Sequence, residues 1–253
     1  MINLLRSEWI KLRTVRMNWV LAVIAAAFPL VVTLLTAYFE GDKEGFKTSD
    51  LASTLTGTTV VSALLCGVIA AASITSEFGF GTIRPTFAAT PKRMNVIFAK
   101  GLVAVLSTMM LATVVVLIGW FVGSALATGK GAAIDLANVP TAVPAMVGVV
   151  VLTGLMSLVG YGFGLITRST PVAVSILIVW PLIAEGLVGA LLSVVSGNDN
   201  IGRWMPFQAG IRMAIVESFG DGGPSRLGSG FYFGGVALVI AAIGSWSVNR
   251  RDA

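Results

Sequence analysis

Six long apolar runs separated by short polar segments dominate the chain. The first, 17–39, would span ~34 Å as an α-helix, enough to cross the ~30 Å hydrocarbon core of a bilayer. It exceeds the apolar stretch of a signal peptide, so we expect a retained helix. The other five runs are 51–75, 95–128, 140–167, 171–196 and 230–248. This pattern predicts an all-α integral membrane protein, with residues 1–253 forming a single transmembrane domain of six spans.

The segment 197–229, between the last two spans, is semi-apolar. Pro206 could begin a helix that runs to Phe219, but at ~20 Å this helix would be too short to cross. If it did cross, the cations at the two ends of the chain would lie on opposite sides. We therefore predict an extracellular re-entrant or interfacial segment here.

The first sixteen residues form an imperfect amphipathic pattern. One helical face carries Ile2, Leu5, Trp9 and Leu12. Glu8 and Lys11 are expected on the other side. This pattern favours a helix in the membrane interface, with Trp9 at headgroup depth and Arg13 near anionic lipid. The alternative is that these charges serve only to orient the first span.

Lys and Arg are distributed unevenly between the two sides of the predicted bundle. One side has eleven of them against three acidic residues, and the other has six against eight. The cation-rich side holds Arg6, Lys11, Arg13, Arg16, Arg84, Lys92, Arg93, Lys100, Arg168, Arg250 and Arg251. This excess predicts a multi-pass protein with both termini in the cytoplasm. Because the basic residues flank apolar spans rather than form one patch, we do not expect nucleic-acid binding.

Composition argues against chemistry within the chain. Hydrophobic residues make up 56% and charged residues 11%, with no His and one Cys. The commonest general base and metal ligand are therefore missing, and no intrachain disulfide can form. We expect no catalytic, cofactor-binding or metal site. An intramembrane enzyme is disfavoured because no nucleophile–base pair is apparent.

Polar residues inside the spans are candidates for a translocation path. Thr54, Thr58, Ser62 and Cys66 recur every four residues along the second span, either lining a path or bonding between helices. Glu185 is the only ionisable residue deep in a span, which makes it a functional candidate or a structural hydrogen-bonding group. Sparse charge within the spans suggests an amphipathic or lipophilic cargo. Gly119/Gly123 and Gly160/Gly164 are small-residue pairs expected to serve helix packing.

The segment 76–93 is the largest predicted cytoplasmic loop. It presents Phe78, Phe80, Ile83 and Phe87 to the cytoplasm, which is unfavourable unless something covers them. A partner protein could cover these side chains, or the loop could fold back under the bundle.

Three features together resemble the permease subunits of ABC-2 type ABC exporters, especially the short six-helix actinobacterial-style ones. They are the opening Arg6-Ser-Glu-Trp-Ile-Lys-Leu-Arg13, the element Gly81-Thr-Ile-Arg84 followed by Thr90-Pro-Lys-Arg93, and the six-span plan with a short excursion before the last span. The resemblance covers essentially the whole chain. The loop element is moderately specific, whereas the other two features are weaker.

The resemblance implies particular roles and partners. Residues 1–16, with Trp9, Lys11 and Arg13, would be an elbow helix. Residues 76–93 would be a coupling loop that docks on a separate ABC ATPase, expected in two copies, which holds the ATP and magnesium. Its contact residues would be Glu77, Phe78, Phe80, Thr82, Ile83, Arg84, Phe87, Pro91 and Arg93. Pro85 departs from the family pattern and would shorten or bend the coupling helix.

The resemblance also implies a second permease subunit, of the same or a related chain, in the lipid of the cell membrane. The cargo could be a drug, lipid or peptide. Gly129-Lys-Gly131 does not match a phosphate-binding loop, so energy would come from the partner. The alternatives are an autonomous secondary transporter, for which we find no inverted repeat, and a membrane-anchored partner protein without an ATPase.

Overall fold

The computed structural model describes residues 2–42, 45–83, 85, 93–217 and 223–251. Within these residues the regular secondary structure is helical, and six helices are long and apolar enough to cross a membrane. The predicted all-α fold with six spans is therefore confirmed.

The helices follow the predicted runs closely. They are α1 Ile2–Thr14, α2 Arg16–Glu40, α3 Thr48–Gly79, α4 Arg93–Gly129, α5 Ala142–Thr167, α6 Thr170–Val179, α7 Glu185–Ser196, α8 Pro206–Arg212 and α9 Arg226–Arg251. The fifth span combines α6 and α7 through a π-helical turn at Trp180–Ala184. Pro181 lies in this turn and has no N–H to donate, which favours a local departure from the α-helical ladder.

The short helix before the last span differs from the prediction. It begins at Pro206 as expected, where a missing N–H costs least, but it ends at Arg212 and not at Phe219. Residues 213–217 are non-helical, and Phe219 lies outside the described residues. The helix is too short to cross a bilayer, and it packs against α9.

Helices α3 and α5 form the centre of the bundle. Helices α2, α4 and α6 pack against α3, and α4, α6 and α9 pack against α5. The two central helices approach so closely that a Cβ on Gly160 would overlap the carbonyl oxygen of Gly67. A Cβ on Gly119 would lie 2.5 Å from Leu55 Cδ1. Both glycine pairs therefore contribute to helix packing, as predicted.

The outer helices leave wide apolar faces uncovered. Large side chains more than half exposed include Val20 on α2, Leu182 in the π turn, Leu187 on α7 and Leu238 on α9. Such faces suit lipid or another membrane subunit, because the hydrocarbon core does not penalise apolar exposure.

Candidate functional site

Four charged side chains meet where α1 packs against the ends of α3 and α4. Lys100 Nζ donates to Glu8 Oε2 at 2.5 Å and to Glu77 Oε1 at 2.9 Å. Lys11 Nζ donates to Glu8 Oε1 at 2.9 Å and to Glu77 Oε1 at 3.1 Å. We call these four residues the ion-pair cluster. Each lysine contacts both carboxylates, so two positive and two negative charges balance within the cluster.

Glu8 and Lys100 are the two members of the ion-pair cluster that are almost completely removed from solvent. Glu8 is 2% exposed and Lys100 is 5% exposed. Burial alone would raise the pKa of Glu8, but Lys100 and Lys11 outweigh this effect and lower the pKa. Burial alone would lower the pKa of Lys11, but Glu8 and Glu77 outweigh it and raise the pKa. Both groups are therefore held in their charged forms.

The ion-pair cluster joins α1 to the two helices that flank residues 80–92. Glu77 lies in the last turn of α3, and Lys100 lies two turns into α4. A cavity of about 570 Å³ adjoins the cluster between α1, α2 and α3, with Leu12, Val15 and Phe80 on its apolar walls. The cluster therefore joins α1 to both of the helices from which the segment between α3 and α4 extends.

The predicted coupling residues have different environments. Phe80 is 84% exposed, and Thr82 is also exposed. Phe78 is half-buried, with the Arg168 guanidinium 4.9 Å from its ring centre. Ile83 was expected to be exposed, but it is buried against an apolar group that includes Ile97 and Val248. The loop therefore folds partly back under the bundle.

Several predicted loop residues lie outside the described part of the chain. These are Arg84, Phe87 and Pro91. Arg93 begins α4, although its side chain is not among those described. Phe80 is consequently the one predicted aromatic contact that the described part of the loop leaves largely exposed.

The elbow residues lie on different sides of α1. Lys11 belongs to the ion-pair cluster, whereas Trp9 and Arg13 are exposed. The Arg13 carbonyl accepts a hydrogen bond of 2.6 Å from Trp19 Nε1, which ties the end of α1 to α2. Glu8 and Lys11, expected on the same side of the helix, meet in the cluster, and Glu8 is the most deeply buried of its four charged residues. This side of α1 faces the bundle, because Lys100 of α4 supplies a counter-ion for Glu8.

The polar stripe on α3 is directed mostly into the bundle. Thr54 and Thr58 are half-buried, and Ser62 is 5% exposed. Thr58 Oγ1 donates to the Thr54 carbonyl at 2.6 Å, within its own helix. At the inner end, the Cys66 carbonyl accepts from Ser157 Oγ of α5 at 3.3 Å. The stripe thus combines hydrogen bonds within α3 and between helices.

Glu185 holds the start of α8. It is 1% exposed, and its two carboxylate oxygens accept the backbone N–H groups of Phe207 and Gln208, both at 2.9 Å. These N–H groups lie in the first turn of a helix, where no backbone acceptor is available to them. The adjoining cavity of about 380 Å³ is lined by residues of 185–215, none of them from α3. The structure therefore does not bring Glu185 together with the Thr54–Thr58–Ser62 stripe.

The sequence did contain a signal for the two buried charges that the prediction missed. Lys100 lies inside an apolar run, where a lone cation requires a counter-ion. Glu8 is the only acidic residue among the first sixteen, and Glu77 is the only one near the end of α3. Pairing these three charges would have predicted contact between α1, α3 and α4.

A comparison with protein families gives a match over most of the chain. Residues 4–194 match the family described as "ABC-2 family transporter protein". The matched region begins in α1 and ends in α7, so it includes the ion-pair cluster and Glu185. No curated protein and no solved structure matches the chain.

Proposed function

Because the chain belongs to the ABC-2 family of transporter proteins, and is thus a permease component of an ABC transporter, we propose that it is the membrane-spanning half of an ATP-driven exporter. A separate ABC ATPase binds and hydrolyses magnesium–ATP and docks on the segment 76–93. The described part of this segment exposes Phe80, which is thus accessible for contact with the ATPase.

The observation that carries this proposal is the ion-pair cluster. It links α1, α3 and α4 where the segment between α3 and α4 leaves the bundle. Buried ion pairs such as Lys100–Glu8 resist separation, because parting them would leave a charge without a partner. A force applied to the loop by an ATPase would therefore move the elbow helix and both flanking helices together.

The proposed orientation rests on the uneven distribution of Lys and Arg between the two sides of the bundle. The cation-rich ends, with the ion-pair cluster, face the cytoplasm of the cell, and the chain lies in the plasma membrane with both termini inside. The described residues 197–217, which include α8, then lie at the extracellular side, and Glu185 of α7 holds the start of α8. Two permease chains, the same or related, pair with two ATPase subunits.

The cargo is an amphipathic or lipophilic molecule. It passes along a path that the two permease chains enclose, and Thr54, Thr58 and Ser62 are candidates for the part of its lining that lies inside the bundle. Glu185 lies apart from these residues, and its role is to hold α8 in place. The wide apolar faces of α2, α7 and α9 support this arrangement, because they leave room for a second subunit.

Transport energetics test the proposal directly. The complex would be purified from its native membrane, reconstituted in proteoliposomes and supplied with a fluorescent amphipathic cation. We expect transport that requires magnesium–ATP and continues after ionophores abolish all ion gradients. Transport driven by a proton or sodium gradient without ATP would support the secondary-transporter alternative and overturn the proposal.

A further inference from the structure

An apolar groove runs between α5 and α9 at the end of the bundle opposite the ion-pair cluster. Its volume is about 680 Å³. The α5 wall presents Val143, Val147, Val151 and Leu155, one residue per helical turn. The stretch 143–155 rises ~18 Å along the helix axis, which is close to the ~15 Å depth of one leaflet, half of the ~30 Å hydrocarbon core. The α5 wall is therefore about as long as one leaflet is deep, whereas the α9 wall covers only its first part, from Arg226 to Phe231.

The groove is open along its length. Val147 is 58% exposed on the α5 wall, and Phe231 is 82% exposed on the α9 wall. Met213 closes the floor, packed so tightly that a Cβ on Gly148 would overlap its carbonyl oxygen. An apolar chain could lie between the two walls without displacing any helix.

One cation lies at the end of the groove. Arg226, the first residue of α9, donates from Nη1 to the Thr141 carbonyl at 3.0 Å and from Nη2 to the Ile215 carbonyl at 2.7 Å. Its hydrogen bonds go to backbone oxygens, and no carboxylate pairs with it among the described residues. A guanidinium has five N–H groups, so three remain for another acceptor. The two carbonyls fix the orientation of the guanidinium but leave its charge unneutralised.

We propose that this groove binds a phospholipid of the adjacent leaflet. The phosphodiester accepts hydrogen bonds from Arg226, and one acyl chain lies between Val147 and Phe231. Arginine suits this role because its planar guanidinium matches a phosphate geometrically. The combination of an unneutralised cation and an apolar groove with an α5 wall one leaflet long distinguishes a phospholipid from a soluble anion, which would leave the groove empty. It also distinguishes a phospholipid from a purely apolar helix, which would leave the charge unmatched.

Native mass spectrometry of the purified complex tests the proposal. The complex would be equilibrated with equal amounts of phosphatidylglycerol and phosphatidylcholine that carry identical chains. We expect bound phosphatidylglycerol to be enriched in the wild type and to fall roughly tenfold in Arg226→Gln, because charge-assisted hydrogen bonds are lost. Val147→Trp, which fills the groove and keeps the arginine, should reduce the binding of both lipids.

Val239→Trp is the matched control for the groove. Val239 is 58% exposed, like Val147, but lies on α9 outside the groove. The Val239→Trp variant should bind as much of each lipid as the wild type does. If both Arg226→Gln and Val147→Trp keep wild-type amounts of phosphatidylglycerol, the proposal is overturned. This readout does not involve ATP, so it is independent of the proposed energy source.

Discussion

Lys100 Nζ and Glu8 Oε2 lie 2.5 Å apart although 92 residues separate them in the chain. Both side chains are almost completely buried. The contact fixes α1 against α4, and Glu77 extends it to α3. The first helix is therefore part of the helical bundle, attached by charge pairing at a position where the sequence suggested only an amphipathic surface helix.

Breaking this contact should destabilise the protein strongly. Lys100→Met leaves Glu8 and Glu77 with only the half-exposed Lys11 as a counter-ion. Removing one partner of a buried pair typically costs about 3–5 kcal/mol of unfolding free energy. We expect a markedly lower melting temperature in detergent, and partial recovery in the double variant Glu8→Gln/Lys100→Met. Lys47 is exposed, so Lys47→Met serves as a control and should have the melting temperature of the wild type. An unchanged melting temperature for Lys100→Met would show that the Lys100–Glu8 pair does not hold α1.

The ion-pair cluster also predicts how stability depends on pH. The pKa of Glu8 is lowered from its ordinary value of 4.5, so its contribution is present above pH 4.5 and is lost as the pH falls through the lower, folded-state value. The pKa of Lys11 is raised from 10.5, so its contribution is present below pH 10.5 and is lost as the pH rises through the higher value. Melting temperatures across this range should therefore form a plateau with losses at both ends. In Glu8→Gln, the fall in melting temperature at low pH should be smaller than in the wild type. An unchanged fall would show that another group is responsible for it.

Close packing of α3 and α5 should make Gly160 intolerant of any side chain. In Gly160→Ala the new Cβ would collide with the backbone of Gly67, which cannot move as a flexible side chain could. We expect a loss of at least 1–3 kcal/mol, about the usual cost of overpacking. Gly235→Ala on α9 is the matched control, because nothing lies within 4 Å of its Cβ position. Comparable melting temperatures for the two variants would contradict the observed helix contact.

Glu185 should be needed as a double acceptor. Glu185→Gln keeps one acceptor oxygen and turns an NH₂ group toward a backbone N–H, whereas Glu185→Ala leaves both N–H groups without this acceptor. A buried unsatisfied group costs about 1–3 kcal/mol, so Glu185→Ala should destabilise the protein more than Glu185→Gln does. Both should destabilise it more than the control Leu187→Ala, which lies on the exposed face of α7. Melting temperatures would give the order. If Gln equals the wild type, one acceptor suffices for α8.

The sequence was most informative where the pattern was local. The six spans follow from runs of apolar residues, and Pro206 correctly marked the start of α8. The end of α8 was mispredicted because Ile211, Ala214 and Ile215 continue a helical apolar pattern that the observed backbone does not follow. Apolar spacing alone does not determine where a short helix stops.

Partners of buried charges were the least predictable feature. Glu185 was recognisable as an unusual buried carboxyl group, but its partners are backbone N–H groups, which no residue type identifies. Lys100 was counted as a flanking cation, because its position inside an apolar run was not matched with Glu8 and Glu77, which are distant in the sequence. The exposure of Phe80 was predicted correctly, but the burial of Ile83 was not. Both are apolar residues of the same loop, and the sequence does not distinguish which of them packs against the bundle.

Docking of a separate ATPase is the central claim, and affinity purification of the tagged chain from its native membrane tests it most directly. The wild type should elute with an ATP-hydrolysing subunit, identified by mass spectrometry and by vanadate-sensitive hydrolysis. Phe80→Asp should fold normally, because the side chain is 84% exposed, and should lose that subunit. Phe39→Asp, an exposed phenylalanine at the opposite end of the bundle, should retain it. The account would be contradicted if no ATPase accompanied the folded wild type, or if Phe80→Asp kept the full amount.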